Sequence, residues 1–209
     1  EREYVASNEA MLELTGVMNC IMCGACVMDC TVLEVDQRFR GPAALAKALR
    51  FVHDPRDAAT RERLRELSKY GGIWDCTHCF YCVEVCPKHV APMERILELR
   101  RDAIRMGLRD HAGVRHVESF ARSVKRTAWL DELRLPIESV GFDIGELLGM
   151  APVGLRALVR GKMPSPIHHR RPGAQNVTRL FTALEAKERE EAQRHFHSET
   201  REKQEAKRS

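Results

Sequence analysis

Aromatic side chains are scarce in this chain: two Trp, three Tyr and seven Phe make up 6% of its 209 residues. No basic face interleaves with them, so the footprint of a nucleic-acid binder is missing. The net charge of +4 is the small remainder of 34 basic and 30 acidic residues interspersed along the chain. No apolar run approaches the roughly 20 residues that cross a bilayer, which argues against a direct membrane span. Alternating strand patterns are absent. The glycines never form G-x-G-x-x-G after a strand, so no flavin fingerprint is present. No nucleophile–base pair stands out, and no bond chemistry is expected of this chain.

Cysteine is missing from most of the sequence and dense where it occurs. All eight lie in two copies of one motif. The first is Cys20-Ile21-Met22-Cys23-Gly24-Ala25-Cys26-Val27-Met28-Asp29-Cys30. The second is Cys76-Thr77-His78-Cys79-Phe80-Tyr81-Cys82-Val83-Glu84-Val85-Cys86, followed by Pro87. Both read C-x-x-C-x-x-C-x-x-x-C, the spacing with which bacterial ferredoxins hold cubane iron–sulfur clusters. Three closely spaced thiolates grip one side of a cubane while the fourth starts a helix and points away. In two-cluster ferredoxins that fourth cysteine ligates the other cluster. The expectation is therefore two 4Fe–4S clusters: one on Cys20, Cys23, Cys26 and Cys86, the other on Cys76, Cys79, Cys82 and Cys30.

Other uses of cysteine fit less well. Structural zinc is usually held by two C-x-x-C pairs separated by a long loop, which leaves the third cysteine of each copy unexplained. A disulfide framework belongs to short secreted chains, and no signal-peptide pattern is present. Reduced cysteines suit the cytoplasm. The two copies differ in detail. Thr31 stands where a proline usually follows the fourth cysteine, which reads as a local change of loop geometry. Phe80 and Tyr81 replace Gly24 and Ala25 and would shield the second cluster from water. His78 reads as a solvent-facing loop residue, with tuning of the cluster as the alternative.

The rest of the chain reads as helical. Residues 1–19 form a lead-in, with Ser7 as N-cap of a short helix. Gly41-Pro42 opens a helix that the turn Asp54-Pro55-Arg56-Asp57 stops. A charged helix from about 58 to 67 turns Leu64 and Leu67 inward, and Gly71-Gly72 releases the chain into the second motif. Residues 92–106 carry an apolar stripe of Met93, Ile96, Leu97, Leu99, Ile104 and Met106. A helix is predicted from Arg109 to about Arg134, ended by Pro136. Short apolar stretches punctuated by Gly141, Gly145, Gly149, Pro152 and Gly161 follow, and these either pack on the cluster domain or face a partner. His168 and His169 form a weak candidate metal pair. Residues 185–209 read as a charged tail, a fraying helix or disordered.

Particular residues carry a family resemblance. Gly41-Pro42-Ala43-Ala44-Leu45, Arg50-Phe51-Val52, Asp54-Pro55-Arg56-Asp57 and Trp74-Asp75-Cys76-Thr77-His78-Cys79, with Cys82, Cys86, Pro87 and Lys88, resemble the dicluster domain of succinate dehydrogenase/fumarate reductase iron–sulfur subunits. The likeness covers about residues 10–106. It implies an all-α fold, the α-helical ferredoxin, with the dicluster domain at 20–106 and a helical extension at 107–184. Typical members lack one cysteine of the second motif and hold a 3Fe–4S centre there. Cys79 completes the set here, which looks more like atypical succinate dehydrogenases and the heterodisulfide reductase C subunit. The segment Leu147–Pro166 is similar to the tail of those proteins.

The resemblance implies an electron-transfer subunit, itself non-catalytic, with a flavoprotein partner and a membrane-side or cysteine-rich redox partner. On one reading a 2Fe–2S domain precedes Glu1. On the other the chain is a short heterodisulfide-reductase-like subunit. A zinc-binding structural protein is the remote third. The expected location is the cytoplasm, at a membrane through partner subunits. Lys88 and His89 are exposed loop residues unless they meet a quinone.

Overall fold

A computed structural model of the chain describes residues 6–141, 143–165 and 171–190. Every regular element among them is helical, as the sequence leads one to expect. The chain divides into two compact units, Glu1–Val114 and Arg115–Ser209.

The first unit is built on two long helices, α4 (Pro42–Val52) and α7 (Pro92–Arg105), packed against each other. Each begins with proline in its first turn, where the missing N–H has no intrahelical partner to lose. Leu45, Leu49 and Val52 lie on one face of α4, and Ile96, Leu99 and Ala103 on one face of α7. Burying each of the leucines and isoleucines contributes about 1.5–3 kcal/mol. Around this pair pack α1 (Asn8–Met18), which contributes Val17, and α5 (Thr60–Leu67), which contributes Leu64 and Leu67. The Ser7 hydroxyl caps α1 by accepting from the Ala10 N–H at 3.2 Å. Val114 joins the same core, so this unit extends past the end of α7.

Four short helices flank the cysteines: α2 (Ala25–Met28), α3 (Thr31–Val35), α6 (Tyr81–Glu84) and a 3-10 turn at Ile73–Asp75. The approach to the second motif is fixed by Gly71 and Gly72. Gly71 has φ +77°, and a Cβ on Gly72 would stand 1.9 Å from the Leu67 carbonyl oxygen. The Arg40 N–H donates to the Gly71 carbonyl at 2.8 Å, and the Asp75 carboxylate accepts from the Gly71 N–H at 2.8 Å. These bonds aim Ile73 and Trp74 into the core and Cys76 toward the cluster loop.

The second unit departs from the sequence reading in two places. The helix predicted over 109–134 is two helices, α8 (Ala112–Thr127) and α9 (Arg134–Val140). Ser123 and Thr127 both donate to the Trp129 carbonyl at 3.0 Å, and the Asp131 N–H donates back to the Ser123 hydroxyl at 2.8 Å. Hydroxyl groups thus draw the chain away from the helix axis. Pro136 does not end a helix; it lies in the first turn of α9. The glycine-punctuated stretch is one helix, α10 (Ile144–Val159), with Pro152 inside it and the Asp143 carboxylate capping Gly145 and Glu146 at 2.9 and 3.2 Å. This cap and the run of Leu, Met and Ala outweigh the breakers. Residues 174–190 are also helical, tied to α8 by Lys125–Glu185 at 2.6 Å and by the Thr178 hydroxyl on the Lys125 carbonyl at 2.7 Å. His168, His169 and the tail from 191 lie outside the described residues. No described helix is long and apolar enough to cross a membrane.

Candidate metal centre

The two cysteine loops repeat one backbone trajectory. Met22 (φ 59°) and His78 (φ 58°) occupy equivalent positions, as do Gly24 (φ 78°) and Phe80 (φ 67°). Left-handed residues at the same two places curl each loop, and a single helical turn follows in each case, α2 and α6. Glycine accepts this conformation freely, whereas Phe80 holds it against its own Cβ at a cost of about 1–2 kcal/mol.

The fourth cysteine of each motif has crossed to the other loop. Cys20, Cys23, Cys26 and Cys86 line one cavity of about 150 Å³. Cys30, Cys76, Cys79 and Cys82 line a second, narrower one of about 20 Å³. The walls of the second are apolar, built from Val32, Phe39, Phe80, Met93 and Ile96. Phe80 lines this cavity although it is half exposed, and Tyr81, equally exposed, takes no part in its lining. Lys88 borders the first cavity, and His89 is exposed.

No three His, Cys, Asp or Glu side chains among the described residues converge closely enough to hold a single metal ion. Thiolates on one zinc must stand about 3.8 Å apart, the edge of a tetrahedron with Zn–S of about 2.3 Å. Four cysteines spread around a cavity suit instead a cluster several ångström across, and in that sense the residues fit the group. Burial pushes the Cys82 thiol up to about 11. Burial raises Cys76, and burial together with Cys20, Cys86 and Cys23 raises Cys26. Iron must displace those protons, so loading releases acid.

Two polar groups at the second cavity escaped the sequence reading. The Thr31 hydroxyl donates toward Cys79 Sγ at 3.6 Å, so the residue that replaces proline does more than alter loop geometry. Arg100 of α7 is buried and donates to the carbonyls of Ile73 and Cys76 at 2.7 and 2.9 Å. Its third contact is His78 Nε2 at 2.5 Å. His78 is consequently a half-buried residue held by Arg100, not a solvent-facing one, and burial followed by the guanidinium lowers its pKa. The signal was present in the pattern: Arg100 falls on the apolar face, seven residues after Met93 and four after Ile96.

Comparison with known proteins agrees with this geometry. Residues 16–90 match the family described as the 4Fe-4S dicluster domain. The 8-methylmenaquinol:fumarate reductase iron-sulfur subunit of Wolinella succinogenes is 30% identical over 178 residues, 82% of this chain and 54% of that protein. The fumarate reductase iron-sulfur subunit of Escherichia coli is 44% identical over 77 residues, 37% of this chain and 32% of that protein. The succinate dehydrogenase iron-sulfur subunit of Paracoccus denitrificans is 34% identical over 101 residues, 48% of this chain and 39% of that protein. The chain spans about half or less of the length of these relatives. With its helical loops and paired cysteine sets, it carries a 4Fe-4S dicluster domain at residues 16–90 and is similar over part of their length to the iron–sulfur subunits of fumarate reductases and succinate dehydrogenases.

Proposed function

We propose that this chain is an electron-transfer subunit of a succinate dehydrogenase or fumarate reductase complex, holding two 4Fe–4S clusters. The observation that carries the reading is the pair of cavities, each lined by three cysteines of one motif and the fourth of the other. Cys20, Cys23, Cys26 and Cys86 would hold the first cluster; Cys76, Cys79, Cys82 and Cys30 would hold the second. Each bound cluster supplies a one-electron couple. The chain's own residues set the environment. The Val90 N–H donates to Cys86 Sγ at 3.3 Å, and the Thr31 hydroxyl to Cys79 Sγ, and such bonds stabilise the more negative state. Apolar side chains line the second centre.

Partners follow from the names of the relatives and from the surface. A flavoprotein would exchange electrons with succinate and fumarate, and a membrane-side subunit would take or return them to quinone. The complex would stand at a membrane on the cytoplasmic side. Helix α10 buries none of its residues and leaves Ile144, Leu148, Val153, Leu155, Leu158 and Val159 exposed, which supports a partner-facing extension beyond the cluster domain. Cys79, by completing the second set, favours a heterodisulfide-reductase-C-like subunit as the alternative. Anaerobic purification tests the reading: a brown protein with about eight iron and eight sulfide per chain is expected. A colourless protein with stoichiometric zinc overturns it.

A further inference from the structure

Helix α10 presents an apolar stripe to solvent along its whole length. Ile144, Leu148, Ala151, Leu155 and Leu158 succeed one another at steps of four, three, four and three residues, a spacing that keeps them on one helix face. Val159 lies beside them. The five large side chains of this stripe are 61–79% exposed, and α10 buries none of its residues. Its half-buried positions, Leu147, Gly154 and Ala157, fall on a separate face, so the helix turns that side inward and the stripe outward.

Three properties of the stripe select what covers it. It is wholly aliphatic, whereas the energetic centres of protein–protein interfaces are rich in Trp, Tyr and Arg and poor in Leu and Val. Its charges are segregated. Arg156, Arg160 and Lys162 stand exposed in the last turn and just beyond it, and among the described residues none of the three forms an ion pair. The acidic side chains, Asp143 and Glu146, are at the other end, where Asp143 is engaged as the cap. Finally, the helix has 16 residues, a length of about 24 Å, too short to cross a hydrocarbon core of about 30 Å. An aliphatic face bordered by cations suits a helix lying in the plane of a bilayer surface, with long basic side chains reaching up to the head groups. We propose that α10 is a lipid-binding helix that lies in the interface of a membrane containing anionic lipid. The stripe enters the acyl boundary, and Arg156, Arg160 and Lys162 meet the head-group phosphates. The inference deepens the reading above and rests on it for the presence of a membrane; it gives this chain a contact of its own with that surface, besides those of partner subunits.

The test is co-sedimentation of the anaerobically purified, cluster-loaded protein with vesicles, either of phosphatidylcholine alone or of phosphatidylcholine and phosphatidylglycerol in equal parts. Wild type should bind the mixed vesicles at least tenfold more tightly than the neutral ones, and salt should weaken that binding. Leu148→Glu/Leu155→Glu should lose at least tenfold on the mixed vesicles, with helicity and iron content unchanged, because neither side chain is buried. Arg156→Gln/Arg160→Gln should lose about fivefold for each charge removed and keep the weak binding to neutral vesicles. A loaded wild-type protein that ignores the mixed vesicles overturns the inference, as does a glutamate double variant that binds them like wild type. A dimer that forms without vesicle binding, and that the glutamate pair dissociates, also overturns it and gives the stripe to a second copy of the chain. If the glutamate pair does not fold, the arginine pair decides: binding to mixed vesicles as tight as wild type refutes the proposal. A protein that binds the mixed vesicles yet never loads two clusters supports the helix assignment and sinks the electron-transfer reading, so the two failures are distinct.

Discussion

Crossing of the fourth cysteines makes a prediction that local sequence logic reverses. Cys86 closes the second motif, yet it lines the cavity of the first. Replacing it by alanine should therefore abolish the first cubane. A double-mutant cycle turns this into a count. If each reduced cubane contributes one unpaired spin, the wild-type protein should integrate to about two spins per chain, and Cys86→Ala to about one. Cys23 shares the Cys86 cavity, so Cys23→Ala should also give about one, and the double variant Cys86→Ala/Cys23→Ala should stay at about one, because both remove the same centre. Cys79 lines the other cavity, so Cys86→Ala/Cys79→Ala should fall to about zero. Spin integration of anaerobic, dithionite-reduced protein reads all five numbers, and iron analysis separates a lost cluster from a three-iron remnant. The opposite pattern, zero for Cys86→Ala/Cys23→Ala and one for Cys86→Ala/Cys79→Ala, would refute the crossed arrangement and return each cluster to its own motif.

Three further outcomes can be checked. Thr31→Val removes the hydroxyl that faces Cys79 Sγ while keeping the side-chain shape; the second centre should shift to a lower potential in a dithionite titration followed by electron paramagnetic resonance, with the first unchanged. Leu99→Ala empties a fully buried position on α7 and should cost about 2–5 kcal/mol in denaturant unfolding of the loaded protein; a loss below about 1 kcal/mol would mean that α4 and α7 do not form the core. Asp54, bonded first by the Arg56 side chain, has its carboxyl lowered to about 2, so its contribution to stability is present above the ordinary carboxylate range and is lost as pH falls toward 2; Asp54→Asn should flatten the unfolding-midpoint profile between about pH 4 and 2, and an unaltered acid limb would argue against it.

The parts of this fold that were legible in the sequence are those where local signals and burial agree. Pro42 opens α4, Leu64 and Leu67 turn inward from α5, and Ser7 caps α1, each where its chemistry alone would put it. The cysteine spacing likewise implies a curled loop, and the loop appears twice with left-handed residues in matching places. Legibility fails where a local rule is overridden by something it cannot see. Pro152 and three glycines disguise α10, because propensity rules weigh breakers singly while Asp143 caps the helix as a whole. Ser123 and Thr127 look like ordinary helical polar residues until they fold back on the Trp129 carbonyl. Thr31 and Arg100 are harder still. A threonine in place of a proline looks like tolerated drift, and an arginine in a charged helix looks solvated. Only the pairing of residues 48 apart brings Thr31 to Cys79, and only the closing of α7 over the Gly71–Cys76 segment buries Arg100. The ligands of a cluster can be read from their spacing because the motif is local. The groups that bond to the ligands and brace their loop come from elsewhere in the fold, and spacing does not record them. An arginine on an apolar stripe is the form that such a signal takes in a sequence.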